Sequence, residues 1–421
     1  MRIRRMTVIG LALAMVLAQG QAIGAPPAPG APNFPFPRHE TYAEGTIRPN
    51  HRSQAQQDND VRATYARWKT RYLVRVPGAG VPRYRVAFGL PNTPAHDVTV
   101  SEGQGYGMLI AVTMAGQDPK AKEVFDGLWR FSRDHPSVID KRLMAWRIPN
   151  GDSAADSAFD GDADIAMALS MANAQWGSGG NVNYLAGARR VLAGISESTI
   201  GPDSNLPTLG DWVDAGGPKY NQYTPRSSDF MPLWFKQYGL VARPARWAKV
   251  VRATDHVIAQ MQAEFSPKTG LLPDFIEPKS ASNHTPKPAR PNFLEDSTDG
   301  AYYYNAGRDP WRIGIDGLLT GDKQSLASAA KISRWARKST GGDPSRLKGG
   351  YELDGTPLPG SDYFSIFFAA PIGVAAMTVP SQQAWLNDLY DSVRGVSEGY
   401  YEDSVALLSM LVMTGNFWVR D

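Results

Sequence analysis

Residues Ile165-Ala-Met-Ala-Leu-Ser-Met-Ala172 are small and apolar on every side of a helix. Three other stretches share this character: Gly105-Tyr-Gly-Met-Leu-Ile-Ala-Val112, Phe367-Phe-Ala-Ala-Pro-Ile-Gly-Val-Ala-Ala376 and Ser404-Val-Ala-Leu-Leu-Ser-Met-Leu-Val-Met413. A helix that is apolar all round is usually buried all round. These stretches therefore predict helices in the interior of the protein rather than on its surface.

The segments between these buried stretches have one polar face. Residues 119–134, 243–264 and 380–394 mix Lys, Arg, Glu and Gln with a single apolar stripe, which is typical of a helix with one face in solvent. Helical spacing of apolar residues recurs in twelve stretches: 58–75, 102–116, 119–134, 160–176, 182–198, 228–239, 243–264, 299–319, 322–338, 362–378, 380–394 and 401–415. Alternating inner and outer helices predict an all-α fold, a single (α/α)6 barrel of six helical hairpins. The alternative is two independent helical domains.

The N-terminus has the pattern of an export signal. Met1-Arg-Ile-Arg-Arg5 is basic, and an apolar run from Thr7 to Ala18 follows it, too short for a typical membrane span. We predict a signal peptide over 1–25, an extended lead-in without a packed core over 26–55 and one domain over 56–421. The protein is then secreted or periplasmic and has no membrane contact after signal removal. A permanent membrane anchor is the alternative.

Composition excludes several classes of protein. The 421 residues carry a formal net charge of +3, and three arginines lie in the signal segment, so the mature chain is close to neutral. A nucleic-acid binder would show a basic face. With no cysteine, the chain has no disulfides, thiolate metal sites or cysteine nucleophile. Its six histidines show no metal-ligand spacing, so we expect no metal and no cofactor.

Acidic residues cluster where the predicted inner helices begin. In an alternating barrel the inner helices run in the same direction, so their N-termini share one rim. Capping explains part of the pattern, because Asp and Glu favour helix starts. Aromatic residues precede the same points, and sugar rings stack on aromatic faces while carboxylates bind hydroxyls. The acidic residues are Glu102, Asp160, Asp162, Asp229, Asp299, Asp362 and Glu402, and the aromatic ones are Trp146, Trp212, Tyr223 and Tyr400. This rim suits a polysaccharide.

Three motifs occur in order along the chain. They are Ser101-Glu-Gly-Gln-Gly-Tyr-Gly-Met-Leu109, Asp160-Gly-Asp-Ala-Asp-Ile-Ala166 and Tyr303-Tyr-Asn-Ala-Gly-Arg-Asp-Pro-Trp-Arg-Ile313. Together they resemble glycoside hydrolase family 8, and the likeness covers roughly residues 58 to 417. The resemblance implies a six-hairpin α/α barrel that hydrolyses β-1,4-glucan, mixed-linkage glucan, xylan or chitosan with inversion of anomeric configuration.

By position, Glu102 matches the general acid of this family. A general acid must hold its proton near neutral pH. Burial beside Tyr106 and Met108, or neighbouring carboxylates, must therefore overcome the helix N-terminus, which lowers a carboxyl pKa. Asp160 matches a family residue at the sugar next to the scissile bond. Phe159 departs from the Ser or Thr that usually precedes this Asp.

The expected base position holds an amide. Members of the best-known branch carry an Asp two residues before Gly307, whereas this chain has Asn305, which cannot accept a proton at useful pH. The sequence resembles the branch of chitosanases, lichenases and some endoglucanases in which a Glu from the preceding loop is the base. Glu295 is therefore the expected base, with Asp296 and Asp299 as alternatives.

The remaining site residues are expected to bind substrate: Trp146, Trp212, Asp229, Asn305, Arg308 and Tyr106. Arg308 either binds sugar or orients carboxylates. The leading interpretation is a secreted, monomeric, inverting endo-β-1,4-glycanase that acts on β-glucan with Glu102, Glu295 and Asp160 as catalytic residues. Chitosanase activity is the alternative within the family, and a non-catalytic glycan-binding protein is the alternative outside it.

Overall fold

A computed structural model describes residues 31–78, 80–149 and 155–420. The expected signal segment, 1–25, lies outside these ranges. The described residues form twelve α-helices: α1 (Gln54–Tyr72), α2 (Ser101–Thr113), α3 (Ala121–Asp134), α4 (Phe159–Trp176), α5 (Tyr184–Ser198), α6 (Pro232–Val241), α7 (Pro244–Glu264), α8 (Asp309–Thr320), α9 (Lys323–Thr340), α10 (Ile366–Ala376), α11 (Gln383–Val393) and α12 (Tyr400–Met413). None of these helices is both long and apolar enough to cross a bilayer.

The even-numbered helices form a closed inner ring. Each packs against the next in the order α2, α4, α6, α8, α10 and α12, and α12 packs back against α2. The odd-numbered helices lie outside this ring and pack against its outer side. Inner helices are buried on nearly every face, and all of α2 except Glu102 is buried. The prediction of an (α/α)6 barrel is confirmed.

One predicted helix is wrong at its start. The sequence predicts a helix over 299–319, whereas α8 begins at Asp309. Asp274 accepts from the backbone N–H groups of Tyr303, Asn305 and Ala306, which a helix over this stretch would need. Asp299 itself folds back and accepts from the N–H groups of Leu294, Glu295 and Asp296 in the loop before it. Such local bonds compete with helix formation. Asp229 and Asp362 likewise precede α6 and α10, so neither lies in the first turn of an inner helix.

The described part of the lead-in is extended, as expected, but it is also packed. Its backbone N–H groups donate to carbonyls at the C-terminal ends of five inner helices: Asn33 to Gln175, Phe36 to Ala115, Glu40 to Gly415, Ala43 to Leu318 and Ile47 to Met377. Carbonyls at helix C-termini lack partners within the helix. The lead-in supplies those partners and covers the rim opposite the N-terminal ends, so the expectation of an unpacked segment is corrected.

The described residues also form three short antiparallel strand pairs: β1 (Leu73–Val76) with β2 (Arg83–Val86), β3 (Thr99–Val100) with β4 (Arg147–Ile148), and β5 (Ile276–Ser280) with β6 (Asn283–Pro288). The second pair continues into the hydrogen bond from Ser101 N to Trp146 O, 2.9 Å. It therefore places the Trp146 loop directly beside the first turn of α2.

Glycines let the inner helices approach closely at the N-terminal rim. A Cβ on Gly161 of α4 would lie 2.5 Å from the backbone carbon of Ser101 in α2. A Cβ on Gly103 would lie 2.7 Å from the hydroxyl of Tyr400 in α12. The glycines of the first two motifs therefore have a packing reason, since any larger residue would push these helices apart.

We predict that Gly161→Ala lowers the free energy of unfolding by about 1–3 kcal/mol, the usual cost of overpacking. Its obstacle is backbone, so the clash outweighs the gain of about 1 kcal/mol that alanine brings to a helix interior. Urea denaturation measures the change. Gly179→Ala is the control, because no atom lies within 4 Å of its added Cβ. Equal stability of the two variants would contradict this account.

Candidate active site

The N-terminal rim of the inner ring holds a cleft of about 350 Å³. Helices α2 and α4 contribute Glu102 and Asp160 from their first turns, and the loop before α8 contributes Glu295 and Asn305. Its lining residues are Phe88, Val100, Ser101, Glu102, Trp146, Ala158, Asp160, Arg226, Glu295, Tyr304, Asn305 and Tyr401. Residues that are far apart in sequence thus form one acidic and aromatic site.

Glu102 is a shielded carboxyl with two donors. Its Oε2 accepts from Nη1 of Arg308 at 2.9 Å, and its Oε1 accepts from the hydroxyl of Tyr400 at 2.9 Å. Burial raises its pKa to about 7, against the lowering effect of Arg308, and the charge of Asp160 adds to the rise. Glu102 is therefore partly protonated near neutral pH.

Asp160 has the opposite character although it shares a partner with Glu102. Its Oδ2 accepts from Nη1 of Arg308 at 2.8 Å and from Nη1 of Arg226 at 3.3 Å. Burial by itself raises the pKa of Asp160, but the two guanidinium groups outweigh it and lower the value to about 2. Asp160 is therefore ionised throughout the range in which Glu102 titrates.

Arg308 is the fully buried cation between these carboxyls. Nη1 donates to Glu102 and Asp160, Nη2 donates to Ser228 Oγ at 2.7 Å, and Nε donates to the carbonyl of Asn305 at 3.3 Å. Its side chain is 1% exposed. Of its two expected roles, this geometry corresponds to orienting the carboxylates rather than binding sugar.

Glu295 is the exposed carboxylate of the site, with 48% of its side chain in solvent. Its Oε2 accepts from Nδ2 of Asn305 at 2.9 Å, and its Oε1 lies 3.6 Å from Nη2 of Arg226. Asn305 in turn is fixed by the buried Asp274, which accepts from the Asn305 backbone N–H at 3.2 Å. The amide at the usual base position thus holds Glu295.

The two alternative bases lie in the same loop in different settings. Asp299 is buried and accepts three backbone N–H groups, including that of Glu295, so it shapes the loop. Asp296 is exposed and caps a turn by accepting from the backbone N–H of Thr298 at 2.6 Å. Neither residue lines the cleft.

Several residues expected to bind substrate are not available to it. Tyr106 is fully buried beneath Arg308, and Asp229 is fully buried beside Arg226, so neither side chain lines the cleft. Trp146 lines the cleft, whereas Trp212 packs edge-on against Tyr220 in a separate apolar cluster. The burial of Tyr106 and Asp229 depends on tertiary packing, which a motif does not encode.

Sequence reasoning missed other members of the site. Arg226 and Tyr400 contact its carboxyls, Asp274 holds Asn305, and Phe88 and Tyr401 line the cleft. The sequence placed Tyr400 among the aromatic residues of the rim but did not predict its contact with Glu102. Arg226 lies three residues before the predicted site residue Asp229. The patterns near these residues marked the region but not the partner of each side chain.

The rim aromatic Tyr223 lies elsewhere. It stacks on His284 with ring centroids 3.7 Å apart, beside a groove of about 640 Å³ next to the β5–β6 hairpin. The acidic Glu277 of that groove is paired with Lys287 and Arg290. The other acidic residue of the groove is the exposed Asp203, whose Oδ2 accepts from Nε2 of Gln222 at 3.1 Å.

Comparisons with known proteins found relatives along most of the chain. The family model described as "Glycosyl hydrolases family 8" matches residues 34–415. A "Beta-glucanase" of Niallia circulans is 42% identical over 392 residues, covering 92% of each chain, and an "Endoglucanase" of Bacillus sp. (strain KSM-330) is 36% identical, covering 91% of this chain and 81% of the relative. The apo structure of a β-1,3-1,4-glucanase from Paenibacillus sp. X4 superposes with a TM-score of 0.87 at 42% identity, covering 93% of this chain and all of that one.

We predict that Tyr400→Phe raises the pKa of Glu102 above about 7. In the parent, the Tyr400 hydroxyl stabilises the ionised form of Glu102 and so lowers its pKa. Without this hydrogen bond the pKa of Glu102 should rise by about one, the effect expected for a hydrogen bond to a charged group. Carboxyl ¹³C NMR titration of protein labelled at Glu measures the change. Tyr184→Phe is the control, because its hydroxyl bonds Asp126 outside the cleft. A pKa that stays or falls in Tyr400→Phe would contradict the prediction.

Proposed function

Because the chain belongs to glycoside hydrolase family 8, we propose that it is an endo-β-1,4-glucanase that inverts configuration, with Glu102 as general acid and Glu295 as general base. One observation carries these roles. Of the three carboxyls that line the cleft, Glu102 is shielded and has a raised pKa, while Glu295 is half in solvent. That division of environments is what acid and base work at one pH requires.

Glu102 suits the acid role because it lines the cleft and is partly protonated near neutral pH. A pKa of about 7 gives both the protonated form and a useful driving force for proton transfer near neutral pH. The bond from Tyr400 and the bond from Arg308 fix the carboxyl in one orientation. Protonation of the leaving oxygen then needs little reorganisation.

Glu295 suits the base role because it is accessible to water. Asn305 donates to one of its oxygens and leaves the other facing Arg226 and the cleft. An inverting enzyme needs a water between base and sugar, on the face of the ring opposite the leaving group. Asn305 is then a support for the base, and it does not mark a decayed enzyme.

Asp160 and Trp146 provide the proposed sugar contacts. Asp160 stays ionised, so it can accept hydrogen bonds from hydroxyls of the sugar next to the scissile bond. Trp146 is tied to the first turn of α2 by its carbonyl, which places its ring in the cleft wall near Glu102. Trp212 remains a proposed platform only for sugars outside this cleft.

The charge of the cleft favours a neutral glucan over chitosan. Asp160 is paired with both Arg226 and Arg308, and Arg226 also faces Glu295. With Glu102 protonated, two carboxylates meet two guanidinium groups, so the cleft offers no excess negative charge to a cationic glucosamine. The relatives' printed names, beta-glucanase and β-1,3-1,4-glucanase, favour cellulose-type or mixed-linkage β-glucan as the substrate.

We also propose that the enzyme acts as an exported monomer. The basic and apolar pattern of residues 1–25 supports export through a signal peptide. Secretion or delivery to the periplasm would bring the cleft to its polymer.

We predict that Glu102→Gln lowers turnover by about 10²–10⁴-fold while polymer binding persists, because Gln keeps the shape but delivers no proton. Reducing-end release is measured on lichenan, carboxymethyl cellulose and chitosan side by side, with lichenan or carboxymethyl cellulose expected to be cleaved fastest. Glu352→Gln, in an exposed loop, is the control. A Glu102→Gln variant that keeps more than a tenth of the parent rate would remove Glu102 from the acid role.

We predict that Glu295→Gln is nearly inactive, whereas Asp296→Asn in the same loop keeps most activity, because Glu295 lines the cleft and Asp296 does not. In Glu295→Gln/Asn305→Asp we expect weak rescue at best, since a misplacement of about 1 Å costs roughly a hundredfold. Proton NMR of the products made by the parent should show the α-anomer first. Full activity of Glu295→Gln, or initial release of the β-anomer, would refute the assigned base.

A further inference from the structure

We propose that Arg226 is a positioning residue that holds the base, Glu295, in register with Asp160. This inference rests on the proposed function and adds to it. Arg226 lines the cleft, and its guanidinium group faces carboxylates from two separate elements. It contributes Nη1 to Asp160 of α4 at 3.3 Å and Nη2 to Glu295 of the loop before α8 at 3.6 Å.

Arg226 itself is held rigidly. Its backbone forms an antiparallel bridge with Phe275, and the neighbouring bonds from Ile276 N to Pro225 O and from Ser227 N to Asp274 O extend that bridge. The guanidinium carbon lies 5.4 Å from the centre of the Phe275 ring. Only 12% of the side chain is exposed. The guanidinium group of Arg226 therefore has a defined position before any substrate binds.

A buried carboxyl lies behind this guanidinium group. Asp229 Oδ1 is 4.0 Å from Nη1 of Arg226, one helical turn along the same segment, and the Asp229 side chain is completely buried. Within the described residues, neither Asp229 oxygen has a hydrogen-bond partner. Burial raises the pKa of Asp229 to about 7, against the lowering effect of Arg226, so above that pH the ionised Asp229 attracts Arg226 from below the cleft.

Of the three carboxyls in the cleft, Glu295 depends most on a second contact to fix its orientation. Glu102 and Asp160 lie on the first turns of buried helices, whereas Glu295 lies on a loop and is half exposed. Its one side-chain hydrogen bond in the described structure comes from Asn305, at Oε2. A single bond leaves rotation about that contact, and Arg226 on Oε1 restricts it.

The guanidinium group is suited to this task in a way that an ammonium group is not. Arg presents donors in a planar fork, so it can face two carboxylates in fixed directions at once. Lys carries one compact charge and would pair with Asp160 or Glu295 but not with both in the same geometry. The expected order of activity is therefore parent, then Arg226→Lys, then Arg226→Met.

The test measures kcat and KM for Arg226→Lys and Arg226→Met on lichenan, each in the parent and in the Glu295→Gln background. We expect Arg226→Met to lower kcat by about 10–100-fold, the cost of roughly 1 Å misplacement, and to change KM less than about threefold. In the Glu295→Gln background the same substitution should lower kcat less than about threefold, because the group it positions is already gone. Arg252→Met, on the exposed side of α7, is the control.

The outcomes separate this role from others. A tenfold rise in KM with unchanged kcat would make Arg226 a sugar-binding residue and overturn the proposal. An equal loss of kcat in both backgrounds would do the same, because the effect would not pass through Glu295. Urea denaturation shows whether Arg226→Lys is folded. If this folded variant has the same kcat as the parent, the planar guanidinium group is not required and the proposal is refuted.

Failure of the proposed function gives a different pattern. If the parent releases no reducing ends from any polysaccharide in the panel, or if Glu102→Gln stays active, the proposed mechanism fails as a whole. If the parent is active, Glu102→Gln is inactive and Arg226→Met keeps the parent kcat, only the role of Arg226 is refuted.

Discussion

The guanidinium group of Arg308 is buried at the rim of the barrel, and a buried charge is tolerated only when it is paired and hydrogen-bonded. Glu102 and Asp160 supply the pairing, while Ser228 and Asn305 supply further acceptors. This requirement draws α2, α4 and the loop before α8 to one point. Because Asp160 also meets Arg226, and Arg226 meets Glu295, a chain of alternating charges connects the two sides of the cleft.

The two rims of the barrel are built differently, and the N-terminal rim holds the charged residues. At the N-terminal rim, glycines such as Gly103 and Gly161 let α2, α4 and α12 approach closely, so short side chains reach one another across the ring. At the opposite rim, the N-terminal lead-in donates backbone hydrogen bonds to the carbonyls that the inner helices leave unpaired. The lead-in therefore covers the C-terminal rim through backbone hydrogen bonds, whereas charged side chains line the cleft at the N-terminal rim.

Small differences of environment separate three carboxyls that lie in one cleft. Glu102 and Asp160 share Arg308, yet burial outweighs the attraction to cations at Glu102, whereas at Asp160 the two guanidinium groups together outweigh burial, so one pKa is about 7 and the other about 2. Glu295 differs again because its loop leaves it half in solvent. The same ion pairs that separate these carboxyls also balance the charge of the cleft, which suits a neutral polymer.

The sequence by itself determined the architecture, the family and the enzyme class. Burial on every side of a helix is a local property, so the stretches around Tyr106 and Ile165 identified inner helices, and the barrel prediction is confirmed. The motifs also predicted that Glu102, Asp160, Asn305 and Glu295 belong to one site, and the structure brings them together; their catalytic roles stay predictions.

Only the tertiary structure decided which side chains face the cleft and which charges pair. Tyr106 and Asp229 are buried, and Asp299 shapes a loop instead of starting a helix. Arg226 contacts two carboxylates that lie 66 residues before it and 69 residues after it in the chain. The physical reason is that periodicity records the burial of one element, whereas an ion pair or a buried side chain depends on neighbours that folding brings from elsewhere in the sequence.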